Sequence, residues 1–321
     1  MKKLHSLPLA LTSVLLLTLF TFEKARAQNT AITSAEGSRA AAKPVTIPLS
    51  IRVKDSNPEI EFQTIDLTVS EDGEPQTVLS IRAMATNSPI TLAVLIQDDL
   101  VSSVGNEIKP LAEFIRQLPK GSRIMTAYIR TGSLQVRQKF TTDLEKASKS
   151  LRPPTGFASA APYNPYVEVI EAVKRFESQP AGRRAILLLS DGLDTSRGID
   201  SSGPGDSLDL QRAINEAQRK SIAVYAFYAP TVGSQNFPLL IGNAQSSLQR
   251  LSDETGGRAF FQGTAAPVSF DPFIKGLDRS LEKQVALTFL STHINKGFHR
   301  IAVRSSTPGV EVSHPSGYFV K

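Results

Sequence analysis

The chain of 321 residues has no cysteine and no tryptophan, and only four histidines. Without cysteine there is no disulfide, no thiol nucleophile, no thiolate metal site and no lipid-modified cysteine behind an export signal, so core packing alone must hold the fold. No run of five Lys or Arg occurs, and no stripe of Arg interleaved with aromatics, which leaves nucleic acid little to bind. A Gly-x-Gly-x-x-Gly turn, a Walker loop and a Gly-x-Ser-x-Gly elbow are all missing; Gly203-Pro204-Gly205 lies in a polar loop and reads as a connection. Nucleotide binding and serine hydrolase chemistry therefore have no visible machinery, and the chain is not expected to be an enzyme.

What is present begins with an export signal. Lys2 and Lys3 precede an apolar stretch over 7–22, followed by Ala25-Arg26-Ala27 before Gln28. Sixteen residues are short for a spanning helix, so cleavage after residue 27 is expected, with an uncleaved anchor as the alternative. No other stretch approaches 18 apolar residues, so no transmembrane segment is expected once the signal is removed. The signal holds Lys2, Lys3, Lys24 and Arg26 against Glu23, so its removal lowers the formal net charge from +6 to +3. The expected location is the periplasm or the medium.

Residues 28–43 are small and polar without periodicity and read as a flexible leader. Val45, Ile47, Leu49, Ile51 and Val53 alternate at period two, as do Ile65, Leu67 and Val69 before a turn at Glu71-Asp72-Gly73, so 45–90 is an antiparallel β segment. From residue 91 short apolar runs at 92–96, 124–129, 185–189 and 222–229 alternate with helical spacings. Examples are Ile108, Leu111, Ile115 and Leu118, and Leu210, Ile214 and Ala217. Leu134, Val136 and Phe140 alternate too close behind a strand for a crossover and predict an antiparallel edge strand. The reading is an α/β fold, a doubly wound and mostly parallel sheet over 91–284. The β segments 45–90 and 285–321 flank it and are candidates for pairing with each other.

In such a sheet ligands gather outside the carboxyl ends of the strands. Asp98 and Asp99 follow the run 92–96, and Asp191 follows 185–189, with Ser102, Ser103, Ser190, Thr195 and Ser196 in the same loops. Carboxylates and hydroxyls together suit Mg²⁺, Ca²⁺ or Mn²⁺. The same side chains equally serve a loop without metal, the carboxylates accepting from amides and Ser102 capping a helix. His293, His299 and His314 lie far along the chain and read as strand or turn histidines.

Three stretches, 92–103, the segment Ile186-Leu187-Leu188-Leu189-Ser190-Asp191-Gly192 and Thr255-Gly256-Gly257-Arg258-Ala259-Phe260-Phe261, resemble a von Willebrand factor type A domain. The flanks 67–76 and 298–319 resemble the exported bacterial branch of that family, so the likeness spans about 45–320. The resemblance implies a metal-ion-dependent adhesion site completed by a carboxylate of a partner protein. Its Asp-x-Ser-x-Ser signature falls on 98–102, giving Asp98 and Ser102 as ligands, with Leu100 where a serine is expected. Thr155 or Ser159 stands where the family has a threonine, and Asp191 takes the last position. Phe157, Tyr163 and Tyr166 border the same crevice and are candidate partner contacts. The expected function is an exported protein-binding module, for adhesion or envelope assembly, with a degenerate metal site. The alternative is a metal-independent scaffold of an envelope complex.

Overall fold

A computed structural model describes residues 42–53, 66–84, 87–234, 236–264, 267–293 and 295–320. The export signal, residues 28–41 of the leader, and Ile65 lie outside the described residues.

The alternating segments form strands. β1 (Lys43–Val53), β2 (Leu67–Glu71), β3 (Glu74–Ala83), β10 (Gln284–Ser291), β11 (Gly297–Ser305), β12 (Val310–Ser313) and β13 (Gly317–Val320) make a seven-stranded sheet in the order β12-β1-β10-β3-β2-β11-β13. Among them β1, β2, β10 and β11 bury alternate residues. Every pairing in it is antiparallel. Ile47, Leu49 and Ile51 of β1 meet Val285, Leu287 and Phe289 of β10 in one core, as the period of two requires. Between β2 and β3 the two turn residues Asp72 and Gly73 both have positive φ, the geometry of a tight hairpin whose twist matches its strands.

The shorter apolar runs form β4 (Ile90–Gln97), β5 (Arg123–Arg130), β6 (Ser133–Thr141), β7 (Arg183–Ser190), β8 (Ala223–Tyr228) and β9 (Ala259–Phe260), in the order β6-β5-β4-β7-β8-β9. β4 lies parallel to β5 and β7, and all eight of its residues are buried. Strands covered on both sides need no alternation. Leu92, Val94 and Ile96 pack under α1 (Ile108–Gln117) and α6 (Asp271–Glu282); Ala93 and Leu95 belong to the core shared with α3 (Tyr166–Arg175), α4 (Leu208–Arg219) and α5 (Pro238–Thr255). A sixth helix, α2 (Leu144–Lys149), is capped by Asp143, whose carboxylate accepts from the Lys146 amide at 2.9 Å.

This corrects the expected fold class. The chain is not one doubly wound, mostly parallel sheet with β flanks. Its larger sheet is antiparallel throughout, and the second is mixed, since β6 runs antiparallel to β5. The physical reason is β10: it hydrogen-bonds to β1 on one side and β3 on the other, so the two end segments are one sheet with its own core.

Candidate functional site

Order in the mixed sheet reverses at β4, whose neighbours are β5 and β7. The loops after β4 and β7 therefore open beside each other, and Asp98, Asp99 and Asp191 stand in them, all buried. Gly192 holds φ +71°, and a Cβ there would come within 2.5 Å of the Leu248 side chain and 2.8 Å of the Ala244 carbonyl, so α5 presses directly on this turn.

Asp98 is fully buried and already neutralised. Arg152 grips it with a fork, Nη1 donating to Oδ1 at 2.7 Å and Nη2 to Oδ2 at 3.0 Å, and Arg130 Nη1 adds a third bond to Oδ2 at 3.3 Å. The Thr155 amide donates to Oδ1 at 3.1 Å, and the Thr155 hydroxyl to the Asp98 carbonyl at 2.9 Å. Arg152 is itself fixed. Its guanidinium lies 4.0 Å from the centre of the buried Tyr128 ring, and its amide and carbonyl bond the Tyr128 hydroxyl at 2.7 and 2.6 Å. The bonds to Asp98 hold the Arg152 guanidinium above its usual pKa, against the opposing effect of burial.

The other two carboxylates are joined by Gln97. Its amide nitrogen donates to Asp99 Oδ1 at 2.9 Å, and its oxygen accepts from the Ser190 hydroxyl at 2.5 Å and the Asp191 amide at 3.2 Å. Burial, reinforced by the Asp99 charge, pushes the Asp191 carboxyl up to about 7. Burial likewise raises Asp99.

These residues do not fit a resident divalent cation. Leu100 is fully buried in the core beneath α1, and its backbone bridges Thr231, so the position offers no oxygen. Ser102 and Ser159 are both exposed, while the hydroxyl that reaches Asp98 belongs to Thr155 and donates to its backbone. Two guanidinium groups occupy the carboxylate of Asp98. Among the described residues no group of three or more His, Cys, Asp or Glu side chains is arranged to hold a metal. Amides do reach Asp98 and Asp191, from Thr155 and from Leu193 at 3.2 Å, but no side-chain cap comes from Ser102.

The aromatic residues separate. Tyr163 is 76% exposed and Phe157 66%, on backbone that is pinned: the Tyr163 carbonyl accepts from the Thr195 amide at 2.8 Å, and the Phe157 carbonyl from Ala160 at 2.8 Å. Tyr166 is corrected from a partner contact to a core residue. It opens α3 with no exposed surface, and its hydroxyl donates to the Gly192 carbonyl at 2.5 Å. Its side chain joins the core shared by α3, α4 and α5, whereas Tyr163 precedes the helix on a loop.

Arg130, Arg152 and Gln97 were not among the candidates. Arg130 closes β5, the neighbour of β4, so it falls at the same sheet end as Asp98, and Arg152 lies just before Thr155. Their places along the chain are local facts, but their pairing with Asp98 is made only by the fold. The structure also gathers His293, His299 and Tyr318 around Glu71 in the antiparallel sheet. His293 Nδ1 lies 3.2 Å from Glu71 Oε2, the Tyr318 hydroxyl donates to Glu71 Oε1 at 2.5 Å, and His299 Nδ1 lies 2.8 Å from Asp72 Oδ2.

No family model matches the sequence, and no curated protein is similar to it. Solved structures are similar at low identity. An aerotolerance-related membrane protein from Bacteroides fragilis shares 12% identity, with 61% of this chain and all of that one covered, at a TM-score of 0.42. A von Willebrand factor type A protein from Catenulispora acidiphila shares 10%, covering 82% of this chain and 75% of that one, at 0.40. Proximal thread matrix protein 1 from the mussel byssus, whose metal-ion-dependent adhesion site is occupied by zinc, shares 9%, covering 64% and 48%, at 0.38. With TM-scores below 0.5, these likenesses leave the chemistry of the crevice to its own residues.

Proposed function

We propose that this chain is an exported protein-binding module built on a von Willebrand factor type A-like domain, and that it recognises its partner without a resident cation. The observation that carries the reading is the aromatic rim. Tyr163 and Phe157 stand largely in water on backbone held by hydrogen bonds, beside a crevice whose Asp98 is already paired. Large rigid side chains of this kind lose little freedom on binding and make natural contact anchors. Arg152 takes the role of counter-charge that a metal would have, so a partner need bring no carboxylate to complete a coordination shell. Export rests on the sequence of the first 27 residues; among the described residues no helix is long and apolar enough to cross a membrane.

The test has two arms on the same protein. In thermal unfolding with chelator and then with millimolar Mg²⁺, Ca²⁺ or Mn²⁺, the midpoint is expected to stay constant; a bound ion at about 100 times its dissociation constant would add about 2.7 kcal/mol. In capture of envelope proteins on the immobilised chain, a specific partner is expected to persist in chelator and to be lost with the double variant Tyr163→Ala and Phe157→Ala. A cation-specific rise abolished by Asp191→Ala, or capture indifferent to the double variant, overturns the reading.

A further inference from the structure

We propose a second binding site, a cleft between the antiparallel sheet and α6, that takes a phosphate-bearing small molecule on Arg258, Arg279 and Lys283. The cleft has a volume of about 700 Å³, within the range of ligand pockets, which run to about 1,000 Å³. Phe260, Tyr225 and Pro272 contribute apolar surface to its wall.

The charges in it do not balance. Of its acidic residues, Glu311 is joined to Arg52, and Asp253 accepts from the Gln249 amide at 2.6 Å. Among the described residues no carboxylate lies within ion-pair distance of Arg258, Arg279 or Lys283, whereas elsewhere on the surface Arg116, Arg175, Arg212 and Lys220 each have one. Arg258 is the sharpest case. Its guanidinium is half-buried and donates no hydrogen bond among the described residues, and it sits 5.1 Å from the centre of the Phe260 ring. Burial, together with the charges of Arg52 and Arg279, pulls its pKa below the usual value and outweighs the opposing charges of Glu311 and Asp253.

The backbone that carries Arg258 cannot retreat. Its carbonyl accepts from the Ala226 amide at 3.0 Å, and a Cβ on the preceding Gly257 would lie 2.0 Å from the Val224 carbonyl oxygen, so the chain is pressed onto β8. A guanidinium on fixed backbone, without an acceptor among the described residues and in one cleft with Arg279 and Lys283, suits an anion of at least two charges. Guanidinium forks match phosphate oxygens in pairs, and the apolar wall suits an organic body attached to the phosphate.

The test measures binding of orthophosphate and of phenyl phosphate to the full chain by calorimetry and thermal unfolding, against sodium chloride at equal ionic strength. Saturable binding is expected with at least one of the two. Tighter binding of phenyl phosphate identifies a phosphorylated organic molecule as the source, and equal binding identifies free phosphate. The double variant Arg258→Gln and Arg279→Gln is expected to weaken binding at least about tenfold, because each charged hydrogen bond lost counts for roughly that factor. Should the double variant fail to fold, the exposed Lys283→Gln reads the same loss on a smaller scale. No binding beyond the chloride control, or binding unchanged in the folded variants, overturns the proposal.

Discussion

At the carboxyl end of β4 a buried carboxylate is gripped by two arginines, while beside β8 and β9 Arg258, Arg279 and Lys283 share a cleft in which, among the described residues, no carboxylate lies within ion-pair distance of any of the three. Both places are lined with charge, yet only in the first are the arginines ion-paired to a buried carboxylate. A balanced cluster of buried charge contributes to the fold, because removing one member strands the other in a poor solvent. An unbalanced one contributes little and is free to respond to something that arrives. The same residue type, arginine, thus has a structural part in one region and the proposed binding part in the other.

The contrast can be broken most decisively at Arg152. Arg152→Ala leaves buried Asp98 with Arg130 as its remaining ion-pair partner beside the Thr155 amide, and unfolding in urea is expected to show a loss of about 3–5 kcal/mol. If Asp98→Asn is added, part of that loss is expected to return, since the stranded charge is gone. A loss below about 1 kcal/mol would mean that the fork is incidental. Next in size is Gly192→Ala, expected to cost about 2–3 kcal/mol by the same measurement, because the new methyl group meets α5 at a positive φ.

A smaller effect is expected at His299, outside both regions. Burial opposes its charge, but bonds to the Asn295 carbonyl and the Asp72 carboxylate prevail and raise its pKa above the ordinary value. Its contribution to stability is therefore full below about pH 6.5 and is lost as pH rises through the folded-state value. Urea midpoints from about pH 6 upward should fall, and Asp72→Asn should flatten that fall. Smallest of all is Arg258→Gln. Relief from its neighbours should leave stability in chloride buffer within about 0.5 kcal/mol of the parent, or slightly above it. A large loss there would mean that Arg258 is as structural as Arg152.

Positions were legible where a rule acts along the chain. Asp98 and Asp191 stand where apolar runs stop, and strand ends are where ligand loops open. Leu100 was legible as a missing oxygen, and its burial under α1 is the structural side of that absence. Partnership across the chain was not legible. Arg152 and Arg130 lie 54 and 32 positions from Asp98, and nothing local distinguishes them from other basic residues. Tyr163 and Tyr166 differ by three positions, yet a loop turns one outward and a helix start buries the other. The period of two likewise disclosed the strands at both ends of the chain without disclosing that β10 lies between β1 and β3.

That interleaving also sets a timetable. Thr46 and its partner Thr288 are separated by 242 positions, so β1 and β3 emerge from synthesis with their central partner still unmade. Until 284–291 arrives, both strands carry open edges able to pair with other chains, and contacts of such span close slowly. A chain built this way gains from being kept apart from its copies until its last strands arrive, and its rate of successful refolding should fall as its own concentration rises.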